Sequence, residues 1–178
     1  YCTAPEGIDR RTKVGKTEWE VFTTASTGRT VLTKADADLV MRMGRAVFGH
    51  PAAAMLLGLP GKAETTHMWT DAATGLQCKC RPDWLTDDGR LIVDLKTTEN
   101  ASVREFSRSI ATWRYQVQAS FYLDGIEQST GTRPEQFLFL VVEKRAPFAC
   151  AVYAADAEMI AAGAKAAARD LEVLATCK

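Results

Sequence analysis

Apolar positions along this chain recur at two periods, and each change of period marks an element. From about Lys34, Leu39, Val40, Met43 and Val47 fall at helical spacing. Gly49 and Pro51 interrupt that helix, and a short second one from Ala52 to Leu57 stops at Gly58 and Pro60. Residues 64–71, 76–85 and 91–98 have strand character, with turn-like segments at Asp71 to Gly75 and Asp87 to Arg90. A long helix is predicted from about Ser102 to Asp124. The runs QFLFLVVE (136–143) and FACAVYA (148–154) then read as buried strands. An alanine-rich closing helix runs from Asp156, a suitable N-cap, to about Ala175. Residues 1–33 are polar and basic, with Arg10, Arg11 and Lys13 close together, and are expected to form an extended arm or loop. This order predicts one mixed α/β domain over residues 1–178, a central sheet flanked by helices.

Composition changes that picture little. Hydrophobic residues make up 47% and charged residues 25% of the 178, as in an ordinary globular protein. No apolar run is long enough to span a membrane, and no signal-peptide pattern opens the chain, so a cytoplasmic setting is expected. The start at Tyr1 rather than methionine fits a piece of a longer protein. With 22 basic and 22 acidic residues the net charge is zero, so any nucleic-acid contact must come from a local basic patch. The five cysteines suggest no disulfide framework, and Cys78 and Cys80 read as two small apolar residues on one strand face.

The chemistry concentrates in CRPDWLTDDGRLIVDLKTTE, residues 80–99. Asp88-Gly89 predicts a two-residue hairpin turn. Counting outward from that turn, Asp83 faces Asp94. Two like charges directly opposed on a sheet repel, unless a divalent cation joins them. Lys96 lies two residues beyond Asp94 and shares its face. There an ammonium can orient or deprotonate an attacking water, or offset charge on a phosphate. The apolar setting LIVDL makes an unpartnered Asp94 costly. An Asp-x-Lys alone is a weak signal; its combination with Pro-Asp and a turn is stronger.

In the predicted long helix, Val103, Phe106, Ile110, Trp113 and Val117 form the expected core stripe. Arg104, Arg108, Tyr115, Gln118 and Tyr122 form another, within about a quarter of the circumference. Those types donate to phosphate oxygens, so Arg104, Arg108 and Tyr115 are candidate DNA-binding residues.

Together, Pro82-Asp83, Asp94-x-Lys96 and Gln118-x-x-x-Tyr122 resemble the PD-(D/E)xK nuclease superfamily and its RecB-like branch. More narrowly, the chain resembles the C-terminal nuclease domain of the RecE (exonuclease VIII) family, through APEGIDRRTKVGKTEWEVF, WTDAATGLQCKCRPDWL, LIVDLKTTENAS, YQVQASFYLDG and FLFLVVEKRAPFACAVY. The resemblance implies a restriction-endonuclease-like core, with a central mixed sheet flanked by helices. It implies a processive exonuclease, bacterial or phage-encoded, that degrades one strand of duplex DNA 5′ to 3′ in recombination. It also implies Mg²⁺, with Mn²⁺ as a substitute, a homo-oligomer in the form of a ring-shaped tetramer, and a single-strand annealing protein as partner. By position, Asp83 and Asp94 would ligate metal, Lys96 would be the catalytic lysine, and Gln118 and Tyr122 would support it. The family's histidine ligand lies upstream of the APEGIDRR segment, before this chain begins. Glu64 ranks above His50 and His67 as a further acidic member of the site. Two other readings compete: a RecB-like or restriction-type nuclease of other polarity, and an inactive DNA-binding or assembly fragment of the same fold.

Overall fold

The computed structural model describes residues 1–177. Its contacts gather into two units, Tyr1–Arg45 and the chain from Ala46 onward.

In the first unit, β1 (Cys2–Thr3) pairs parallel with β2 (Val31–Leu32). Between them runs α1 (Lys13–Ala25), capped by Thr12, whose hydroxyl accepts from Gly15 N at 3.0 Å. The extended arm expected over 1–33 is therefore corrected: its middle third is a helix. The polar composition hid a cap followed by Trp19 and Phe22, whose rings meet at 5.4 Å, with Arg10 over the Trp19 ring. The next helix, α2 (Lys34–Gly49), matches its predicted span.

The second unit carries the sheet. His50 caps α3 (Pro51–Leu57), its Nδ1 accepting from Ala53 N at 3.3 Å, with Pro51 in the first turn. Then follow β3 (Gly61–Ala63), β4 (His67–Thr70), β5 (Gln77–Cys80), β6 (Trp84–Thr86) and β7 (Leu91–Thr98). Helices α4 (Val103–Trp113) and α5 (Tyr115–Thr130) lead to β8 (Gln136–Glu143), β9 (Cys150–Ala154) and α6 (Ala157–Thr176). The main sheet has the order β3-β6-β7-β8-β9, with β7 and β8 parallel and the other pairs antiparallel. That is the predicted mixed sheet. A parallel pair needs a long crossover, which α4 and α5 supply.

Three expectations are corrected here. The strand expected over 64–71 is only β4, and it pairs with β5 in a separate hairpin outside the main sheet. Glu64 has a positive φ of 56° and turns the chain between β3 and β4. The strand expected over 76–85 divides at Arg81-Pro82-Asp83, because Pro82 has no N–H to continue a ladder. The single helix from 102 to 124 breaks at Arg114, which is left-handed at φ 56°, ψ 40°.

One sheet face, with Ile92, Phe137, Phe139 and Val141, packs on Phe106 of α4 and on Ala119, Leu123 and Ile126 of α5. Behind α5 lies α6, capped by Asp156, which accepts from Met159 N at 2.7 Å as predicted. The two helices approach closely at Gly163, where a Cβ would stand 1.9 Å from Gln116 O. Helix α5 is thus clamped between sheet and α6. A clamped helix holds its side chains at fixed positions over β7.

Candidate active site

The β6–β7 hairpin sets the site's geometry. Trp84 pairs with Val93 and Leu85 with Ile92, and one more step in that register sets Asp83 against Asp94. The predicted register holds, but the turn does not. The loop is the four residues Asp87 to Arg90 rather than Asp88-Gly89 alone. Gly89 N donates to Thr86 O at 2.8 Å, and Gly89 takes a φ of 71°. Thr86 Oγ1 bonds Asp88 Oδ1 at 2.6 Å and accepts from Leu91 N at 3.0 Å, so side chains extend the turn by one residue at each end.

β6 begins only at Trp84, after Pro82, and the edge of β7 beyond Val93 is left open. Asp83 fills that gap with its side chain: Oδ2 accepts from Leu95 N at 2.7 Å. The strand break thus turns an acid toward the bare edge of the strand that carries the second acid.

Asp94 and Lys96 share the β7 face beneath α5, as strand alternation requires. Asp94 is only 2% exposed. Gln118 Nε2 donates to its Oδ1 at 2.7 Å, and Gln118 Oε1 accepts from Lys96 Nζ at 2.8 Å. Lys96 Nζ stands 2.5 Å from Asp94 Oδ2. That contact is an ion pair without hydrogen-bond alignment, and Oδ2 has no hydrogen-bond partner. The Tyr115 ring lies under the ammonium, 4.4 Å away, in a cation–π arrangement. Burial pushes the Asp94 carboxyl above its usual range, Lys96 and Gln118 pull it back, and Asp83 pushes it up again. Tyr122 sits beside Gln118 and the Arg81 backbone, with its phenol raised chiefly by burial.

The structure therefore brings together Asp83, Asp94, Lys96, Tyr115, Gln118 and Tyr122. Glu64 approaches through its backbone, Glu64 N donating to Pro82 O at 3.1 Å, but its carboxylate pairs with Arg81 at 2.7 Å. Arg104 and Arg108 do not share a stripe with Gln118, because the break at Arg114 rotates α5 relative to α4. Both lie on the exposed side of α4 against Glu105. The core stripe is corrected too, already within α4. Phe106 is buried, but Trp113 is 69% exposed and Val103 also faces out. Of the histidines, His50 caps α3 and His67 bonds Ser129 and Thr65. Two features were missed: the Leu95 amide as anchor for Asp83, and Arg81, whose place before Pro82-Asp83 was the available signal.

Among the described residues, no three His, Cys, Asp or Glu side chains cluster closely enough to cage a metal. The donor set fits a different kind of site. Two carboxylates, one with a buried oxygen that lacks a hydrogen bond, suit a hard divalent cation that keeps water and phosphate as its other ligands. Soft or tetrahedral metals would require the cysteine or histidine ligands that these elements do not offer.

Residues 4–178 match the family model described as a PDDEXK-like domain of unknown function (DUF3799). No curated protein matches the sequence. Among solved structures, a "putative exonuclease" from Eubacterium rectale superposes with a TM-score of 0.64 at 13% identity, covering 95% of this chain. This chain spans 65% of that protein's length. A second structure, SSO0001, matches at a TM-score of 0.46 and 13% identity over 92% of this chain and 69% of its own.

Proposed function

This chain belongs to the PDDEXK-like domain family, and on that premise we propose that it is a metal-dependent nuclease that hydrolyses DNA phosphodiesters at Asp83, Asp94 and Lys96. The carrying observation is the closed array Asp94–Lys96–Gln118 beside Asp83 on an open strand edge. A buried carboxylate and lysine in contact, with an amide that orients both, are a poor source of stability, because apolar residues of similar volume often serve a core as well or better.

Asp83 and Asp94 would hold the cation. When bound, it supplies Lewis acidity toward a phosphoryl oxygen and toward water. Lys96 places a positive charge where negative charge grows on the phosphoryl group. Gln118 fixes that ammonium and presents its amide N–H to Asp94, so neither side chain can swing away. Tyr115 supports the lysine from below, and Tyr122 closes the side near Arg81.

Further detail rests on the resemblance: Mg²⁺ as the cation, attack from duplex ends, 5′-to-3′ polarity, a ring-shaped homo-oligomer and service beside a single-strand annealing protein in recombination. Of these, the "putative exonuclease" title of the Eubacterium rectale structure bears on attack from DNA ends alone. No helix among the described residues is long and apolar enough to cross a membrane. The test compares linear and covalently closed circular duplex DNA, with Mg²⁺ and with a chelator. Loss of linear DNA only, and only with Mg²⁺, supports the reading. Equal cutting of circles would replace it with an endonuclease, and no cutting would reject it.

A further inference from the structure

Beside Tyr122 lies a cavity of about 390 Å³ lined by Thr66, Lys79, Cys80, Arg81 and Tyr122. Strand alternation in β5 buries Cys78 and Cys80 and turns Lys79 outward. Lys79 has no carboxylate within ion-pair distance among the described residues. Arg81 is held only by Glu64, on an exposed surface where such a pair is weak and readily exchanged. No acidic residue is among those lining this space, whereas Lys79, Arg81, Thr66 and Tyr122 are. A neighbouring cavity of about 380 Å³ has Asp87 and Asp88 against Lys62 and offers no such field.

From this we infer that the cavity is a second phosphate-binding subsite, in which Lys79 and Arg81 hold a DNA phosphate other than the one being cleaved. The inference rests on the nuclease reading for its substrate but not for its chemistry. Arg81 directly precedes Pro82-Asp83, and Tyr122 stands one helical turn from Gln118 on α5. A phosphate gripped here is therefore fixed relative to the acids. Arg81 exchanges Glu64 for the phosphate, a bidentate partner suited to its planar fork. Lys79 adds a compact charge, and Thr66 can donate a hydrogen bond.

The test is binding, measured without divalent cation so that no turnover intervenes. The probes are fluorescent single-stranded oligonucleotides with a 5′-phosphate or a 5′-hydroxyl, titrated against parent, Lys79→Ala with Arg81→Ala, and Lys79→Arg. The double variant should bind about tenfold more weakly. Its slope of log affinity against log salt should be shallower by about 0.7 for the one phosphate lost. Lys79→Arg should bind like the parent. Both changed residues are exposed, so melting temperatures should agree. A loss seen with both probes assigns the cavity to an internal phosphodiester. A loss confined to the 5′-phosphorylated probe assigns it to a terminal phosphate. Equal affinities and slopes for parent and double variant would overturn the subsite. Should the parent bind as expected but cleave nothing with Mg²⁺, the nuclease reading fails while the subsite stands.

Discussion

Gln118 donates to Asp94 Oδ1 at 2.7 Å across 24 residues of sequence, and its other amide atom accepts from Lys96. The carboxamide can serve both only in one orientation. Its oxygen must face the ammonium, and its nitrogen must face the carboxylate. Gln118→Ala removes a donor from a buried carboxylate. It should cost about 1–3 kcal/mol, as for an unsatisfied buried group. Gln118→Glu faces Asp94 with a like charge and should lose more activity than stability can explain. Thermal melts beside DNA degradation rates check both.

Lys96→Ala should abolish turnover while leaving DNA affinity and most metal affinity in place, because an ammonium is no ligand for a hard cation. Lys96→Arg should not restore the rate. A planar guanidinium cannot keep the single point contact with Asp94 Oδ2 and Gln118 Oε1 that a compact ammonium makes. Single-turnover kinetics with a separate binding assay would show it; near-parental turnover in Lys96→Ala would remove the lysine from the chemistry.

The pH dependence of stability follows from Asp94. Burial raises its folded-state carboxyl above the ordinary 3.8, so the folded protein disfavours the charged form. Stability from this group is then complete below 3.8 and declines as pH rises through the raised folded value. Asp94→Asn cannot ionise and does not share that decline. In metal-free protein the melting temperature of Asp94→Asn relative to parent should therefore climb as pH rises above 3.8 and level off once the folded-state carboxyl has ionised. A difference independent of pH would show that Asp94 is no more strained than a surface carboxylate.

Phe106 and Trp113 mark the buried and exposed sides of α4. Phe106 is 2% exposed between sheet and helices, and Phe106→Ala should cost about 3–5 kcal/mol. Trp113→Ala, on the exposed end of α4, should stay within about 0.5 kcal/mol of parent. Chemical denaturation measures both.

That contrast also shows what the sequence could and could not reveal. Strand period and apolar runs were enough for the strands of the central sheet, and the Asp-Gly turn for the facing of Asp83 and Asp94, since these depend on local alternation; the parallel pairing of β7 with β8 does not. Asp94, Lys96, Gln118 and Tyr122 were found because each lies on one regular element. The helix wheel failed at Arg114, because a single left-handed residue resets the phase and nothing in WRY marks it; glycine or asparagine would have. Asp83's bond to Leu95 N was hidden because it arises just before a strand begins, after Pro82. The helix Lys13–Ala25 was hidden because its polar composition outweighed one cap and a Trp–Phe pair.

The most direct test is product release from linear duplex DNA labelled at either the 5′ or the 3′ end, with Mg²⁺, for parent, Asp83→Ala and Asp94→Ala. The account predicts early release of small labelled products from the 5′-labelled strand by the parent, none with a chelator, and none from either variant while both remain folded. Mg²⁺-independent release, or release by either variant at the parental rate, would contradict the assignment of this pair of acids as the catalytic centre.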